Sequence, residues 1–159
     1  MSTNKKTIIL FSDDFDKAMA AFLIANGAAA MGDEVTIFFT FWGIDLIRKP
    51  SKVKTKGKTL LQKMFGMMMP RGPGKLGLSK MNFGGIGVRL MKVCMRHVNA
   101  MSMEDLVATA REQGVKFVAC TLSMDILGFK KEELLDGIDF MGVAGYLAEA
   151  DEANVNLFI

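Results

Sequence analysis

Short apolar runs alternate with amphipathic stretches along most of this chain. Residues 6–12 read Lys-Thr-Ile-Ile-Leu-Phe-Ser, a continuous apolar run of the kind buried on both faces in a parallel sheet. Ser12, Asp13, Asp14 and Asp16 follow. Ser or Asp caps the orphan amides at a helix start, and further acids suit the positive end of its dipole. This predicts a helix reaching about Met31, with Gly32 as its stop. Residues 34–40 (Glu-Val-Thr-Ile-Phe-Phe-Thr) predict a second strand, with Phe41-Trp42-Gly43 at its carboxyl end. Together these make one βαβ unit.

The same regularity returns late in the chain. Ser102-x-x-Asp105 resembles a capping box, and Leu106, Val107 and Ala110 share a helix face that ends at Gly114. Residues 115–121 (Val-Lys-Phe-Val-Ala-Cys-Thr) predict a strand closing at Cys120, with a short helix just after it. A helical turn at 131–136, a strand at 138–141, a helix at 143–150 and a last strand at 155–159 complete the pattern. Strands alternating with helices predict an α/β sandwich around a mainly parallel sheet of about five strands.

Between these halves the pattern breaks. The stretch from Leu46 to Met103 carries all three prolines, nine of the 14 methionines and eight of the 16 glycines. Residues 49–58 read as a solvated loop, 60–69 and 86–97 as helices, and 70–77 as turns. Met91, Cys94 and Met95 should lie near one face of the second helix. We read residues 46–101 as a helical and irregular insertion in a single domain spanning 1–159, since 159 residues fit one domain.

Composition sharpens this picture at one point. The formal net charge is only +3, from 20 Lys and Arg against 17 Asp and Glu. Yet no acid lies between Asp45 and Glu104, where 13 Lys and Arg fall; the remainder holds 7 basic and 17 acidic residues. Such asymmetry points to an anionic partner for the middle segment, or to its folding against the acidic remainder. A chain that is 50% hydrophobic is too apolar for disorder. The apolar stretch between Lys17 and Asp33 is too short to span a bilayer. The first residues lead into a strand rather than a signal sequence, and two cysteines make no disulfide scaffold. A cytoplasmic protein is the expectation.

Ligands of open α/β sheets gather beyond the carboxyl ends of the strands. The residues there are Ser12 and Asp13, Phe41 and Trp42, Cys120 and Thr121, and Met141 and Gly142. Cys120 is the one good nucleophile among them. A helix starting at about Leu122 would turn its first amides toward the sulfur and favour a thiolate. The competing reading is a small buried hydrophobe that ends its strand. Function requires a sulfur that is presented and reachable.

Other chemistries are thinly supported. Cys94 and His97 share a helix face at i, i+3, but they lack the further ligands a zinc site needs. The turn Ser12-Asp13-Asp14-Phe15-Asp16 has no glycine fingerprint, and its acids would repel a pyrophosphate. Gly84-Gly85-Ile86-Gly87 follows no convincing strand. The basic segment has few stacking aromatics, so nucleic acid is not expected. Met67-Met68-Met69 suits adaptable apolar contact better than copper. Neither metal nor cofactor is expected. Met and Phe interleaved with Lys suit docking on an acidic protein or a membrane surface.

Four segments resemble the DsrE/DsrF-like sulfur-relay proteins, in particular a branch with a long basic, Met-rich insertion. They are Phe38-Phe39-Thr40-Phe41-Trp42-Gly43, the stretch from Lys75 to Gly85, the stretch Ala119-Cys120-Thr121-Leu122-Ser123-Met124-Asp125-Ile126-Leu127-Gly128, and Gly142-Val143-Ala144-Gly145-Tyr146-Leu147. The resemblance implies a Rossmann-like three-layer fold, homo- or hetero-oligomers, and a cysteine that carries sulfur as a persulfide. That role transfers to Cys120 alone. It suggests a sulfurtransferase or sulfur carrier that exchanges sulfur with a small TusA-like protein. The amides of Leu122 and Ser123 would then stabilise the anion, with support from Thr121 and the Ser123 hydroxyl, while Asp125 serves the local turn. The alternative is a non-enzymatic oligomeric adaptor that docks through the basic segment.

Overall fold

The structure, a computed structural model, describes residues 4–159. Its frame is a sheet of five strands: β1 (Lys5–Leu10), β2 (Glu34–Phe39), β3 (Lys116–Cys120), β4 (Asp139–Met141) and β5 (Val155–Phe158). Their order is β4-β3-β2-β1-β5, and every pairing is parallel. The helices are α1 (Phe15–Ala30), α2 (Leu60–Met68), α3 (Ile86–His97), α4 (Met103–Glu112), α5 (Thr121–Leu127) and α6 (Val143–Asp151).

The period of two along a strand divides this sheet into unequal faces. Ile8 and Leu10, Ile37 and Phe39, and Phe117 and Ala119 enter the larger core, with Phe15, Ala18, Phe22 and Ala25 of α1 and Leu106, Val107 and Ala110 of α4. Phe22 packs edge-on to Phe117, with ring centroids 5.7 Å apart. Small residues on α1 let α4 approach, and Asn26 Nδ2 donates to the Leu106 carbonyl at 3.0 Å. The alternate residues Ile9, Phe38, Val118 and Cys120 face the other way, into a small cluster closed by Tyr146 and Ala150 of α6. One face is thus thickly covered and the other thinly.

Local signals behave as their chemistry requires. The Ser102–Asp105 capping box forms, and a second box, Thr59 with Gln62, starts α2. At α1 the N-cap is Asp14 and makes no side-chain cap bond. Ser12, expected to cap, instead accepts from the Asp14 amide at 3.1 Å and donates to the Asp14 carboxylate at 2.8 Å.

The insertion is packed rather than peripheral. Met69, Leu76, Val88 and Met95 are buried in the main core. Of the three residues expected near one face of α3, Met95 is buried while Met91 and Cys94 are exposed. Contact with a neighbour on one side only explains the split. The anchor of the insertion is a fully buried guanidinium. Arg48 Nη1 donates to Asp45 Oδ1 at 2.9 Å and to the Pro70 carbonyl at 3.0 Å, and its Nη2 donates to the Gly66 carbonyl at 2.9 Å. The Phe129 ring lies 4.4 Å beneath it. A buried charge is tolerated when it is paired and hydrogen-bonded, and these four contacts meet most of that need, leaving Arg48 Nε and Asp45 Oδ2 without a partner among the described residues.

Candidate functional site

Cys120 is the last residue of β3 and the N-cap of α5. Its backbone is extended (φ −69°, ψ 116°), so the chain turns from strand to helix at this residue. The first amides of α5 have no carbonyl within the helix to bond. The sequence expects them to point at the sulfur, but the Cys120 side chain makes no capping bond. Strand alternation decides this. Cys120 shares the parity of Val118, so its side chain is committed to the face covered by α6. It is 2% exposed. The expectation of a presented, freely reachable sulfur is therefore not met in the single chain.

Around it the predicted residues divide into near and far. Met141 is Cys120's register partner on β4. Next to it, a Cβ added to Gly142 would stand 3.8 Å from Thr121 Oγ1. Ser123 is buried and its hydroxyl pairs with Thr40 Oγ1 at 2.8 Å. That bond ties the end of β2 to α5 and occupies a group expected to face the sulfur. Leu122 projects outward, 57% exposed. Asp125 is exposed, and its backbone carbonyl accepts from Gln62 Nε2 of α2 at 3.0 Å.

Ser12 and Asp13 follow β1, two strands from β3, or roughly 10 Å at the usual strand spacing. Burial pushes the Asp13 carboxyl above its ordinary range, and neighbouring Asp14 adds to the effect. Phe41 and Trp42 open a 3-10 turn at Phe41–Ile47. Phe41 sits at φ 46°, a strained setting for an aromatic residue, with its ring 5.5 Å from that of Phe11. Cys94 and His97 are both exposed on α3, and among the described residues no group of three or more His, Cys, Asp or Glu is placed to hold a metal ion.

A cleft of about 190 Å³ borders Thr121, lined also by Met124, Asp125, Phe129, Lys130, Lys131 and Phe140. Cys120 does not line it; Met124, Phe129 and Phe140 place it with the main core, across the sheet from the Cys120 cluster. On the face of the sheet that Cys120 occupies, Phe38 and Tyr146 stack with centroids 4.8 Å apart, and the Tyr146 hydroxyl is 3.0 Å from Thr7 Oγ1. Sequence reading missed Thr40, Tyr146 and Arg48. Only Arg48 carried a local signal, its i, i+3 spacing from Asp45.

This frame, with a cysteine ending the third of five parallel strands, agrees with what comparison with known proteins finds. Residues 2–158 match the family model described as DsrE/DsrF/DrsH-like. The chain belongs to the DsrE/DsrF/DrsH-like family. Within that family setting, it is 57% identical over 157 residues to a Bacillus subtilis protein named YrkE and described as uncharacterized, covering 99% of this chain and 98% of that one. It is 34% identical over 163 residues to the sulfur carrier protein DsrE2 of Allochromatium vinosum, covering the whole of both. Two solved structures share the DsrE-like fold. The ychN protein of E. coli has a TM-score of 0.55 at 10% identity, covering 99% of this chain and 100% of that one. MTH1491 of Methanobacterium thermoautotrophicum has a TM-score of 0.57 at 12% identity, covering 97% and 98%.

Proposed function

We propose that this protein is a sulfur carrier that holds sulfane sulfur on Cys120 as a persulfide. The observation that carries the reading is family membership across the chain, together with a full-length relative named as a sulfur carrier. The position of Cys120 at the carboxyl end of a central parallel strand supports it. The Cys120 thiolate attacks the terminal sulfur of a donor persulfide R–S–SH. The new S–S bond forms on Cys120, the donor's S–S bond breaks, and R–S⁻ leaves with the electron pair. A thiolate of a small TusA-like acceptor then attacks the terminal sulfur of Cys120–S–SH and releases Cys120 as thiolate. No net oxidation occurs, and neither metal nor nucleotide enters. Burial adds a requirement: the thin α6 cover must open, or a partner must displace it, before transfer. A persulfide kept under that cover is shielded from water and stray thiols.

Intact-mass spectrometry after incubation with a persulfide donor tests this. Wild type gains one sulfur on Cys120, Cys94→Ser gains it as well, and Cys120→Ser does not. Equal gain by Cys120→Ser removes the proposal.

A second reading, an adaptor docking an acidic protein or a membrane surface, is favoured by one observation. Helix α3 buries only Val88 and Met95, while Ile86, Leu90, Met91 and Val93 stay exposed among Arg89, Lys92 and Arg96. Among the described residues no helix is long and apolar enough to cross a membrane. This reading requires binding that weakens steeply with salt and survives Cys120→Ser.

A further inference from the structure

One concavity in the basic segment lies apart from Cys120. A cleft of about 210 Å³ lies where residues 52–58, α2 and the turn after α2 meet. Lys52, Lys58, Lys63 and Arg71 line it, with Gly66 and a single carboxylate, Glu133. That carboxylate is already engaged: Glu133 Oε2 accepts from Lys58 Nζ at 2.5 Å and from the Lys130 amide at 2.9 Å. Among the described residues, Lys52, Lys63 and Arg71 form no ion pair. Four cations against one carboxylate leave the cleft with a net positive charge of three, and none of Lys52, Lys63 and Arg71 has an acid within ion-pair distance among the described residues.

Arg71 is the informative member. Its Nη2 reaches the Gly66 carbonyl at 3.4 Å, and Arg48 Nη2 already holds that oxygen at 2.9 Å. Its Nη1 is buried and has no hydrogen-bond partner among the described residues. Burial and the nearby Arg48 guanidinium act against the Arg71 charge and outweigh the smaller support of the Glu133 and Asp45 carboxylates. A planar guanidinium with free donors, ringed by lysines, is matched by an anion that offers several oxygens at once.

We propose that this cleft binds a small tetrahedral dianion, with Arg71 as the oriented donor and Lys52 and Lys63 supplying charge at the rim. Phosphate and sulfur oxyanions such as thiosulfate share this chemistry. The site is distinct from Cys120, and its occupancy does not require the persulfide reading.

Calorimetric titration of the full chain with inorganic phosphate, sulfate or thiosulfate, each at constant ionic strength set by sodium chloride, tests the proposal. At least one dianion binds saturably at one site per chain. The double variant Lys52→Gln/Lys63→Gln weakens it about tenfold or more, and Cys120→Ser leaves it unchanged. Arg71→Lys, which keeps the charge and loses the fork, weakens it too. If that variant does not fold, the exposed double variant decides. Response to thiosulfate but not phosphate identifies a sulfur oxyanion, and the reverse a phosphate. If no dianion binds beyond the matched chloride control, or the double variant binds as wild type does, the site does not exist. Loss of sulfur loading in Cys120→Ser with dianion binding intact separates the two proposals.

Discussion

Cys94 and Cys120 differ chiefly in access. Cys94 is exposed on α3, and Cys120 lies under α6. An aromatic disulfide reagent should label one thiol of the native protein fast and the other slowly, at a rate set by local opening. Cys94→Ser should abolish the fast phase alone. A fast phase that survives this substitution would show that Cys120 is open in solution. Asp45 gives a second residue-scale outcome. Burial raises its carboxyl from the ordinary 3.8 to about 7, against the pull of Arg48. The folded protein therefore keeps a proton that the unfolded chain releases between those values. Stability falls as pH rises through that window and levels off above about 7, a loss on the order of 4 kcal/mol over the whole window. Urea midpoints measured from about pH 5 to about pH 8 should decline in wild type and flatten in Asp45→Asn. Gly43 is sterically fixed, since a Cβ there would lie 2.0 Å from the Leu10 carbonyl oxygen. Gly43→Ala should cost on the order of 2–4 kcal/mol, read by denaturant unfolding.

Elements differ in how much of their stability is local. Strand β3 is held by neighbours on both sides and by both faces of the sheet. Helix α2 buries only Gly66, so its capping box and its contact with α5 carry much of its order. Thr59→Ala should cost α2 about 1 kcal/mol. Hydrogen exchange should show faster amides in residues 60–68, with the global melting temperature almost unmoved. An equal global loss would mean that α2 is part of the cooperative core. Element type was largely legible in sequence, because each apolar run had the period of its structure. The partners were not. Nothing local announces that Ser123 bonds Thr40, or that the Asp125 carbonyl receives Gln62. Those pairs lie 83 and 63 residues apart.

At the scale of the molecule, the thin face of the sheet stands out. Leu122, Val143, Leu147 and Phe158 are all more than half exposed around the strand ends and α6. Exposed apolar side chains are what assembly between copies of a chain would cover. Light scattering should therefore give a mass above that of one chain, and Leu147→Glu should shift it down. A wild-type monomer would leave this face to a different partner. The charge segregation plain in the sequence is only partly neutralised by folding. Lys58 meets Glu133, Lys49 meets Asp136 and Arg48 meets Asp45, while Lys52, Lys63 and Arg71 share a cleft with Glu133 and, among the described residues, form no ion pair of their own.

The alternation of strands and helices, the basic insertion and the strand-end position of Cys120 are written along the chain, because periodicity, caps and charge are local properties. Which face of the sheet that cysteine points to, and how thickly the face is covered, emerges on folding. Folding also decides which cations are left unpaired. Each of these depends on groups brought together from distant parts of the chain.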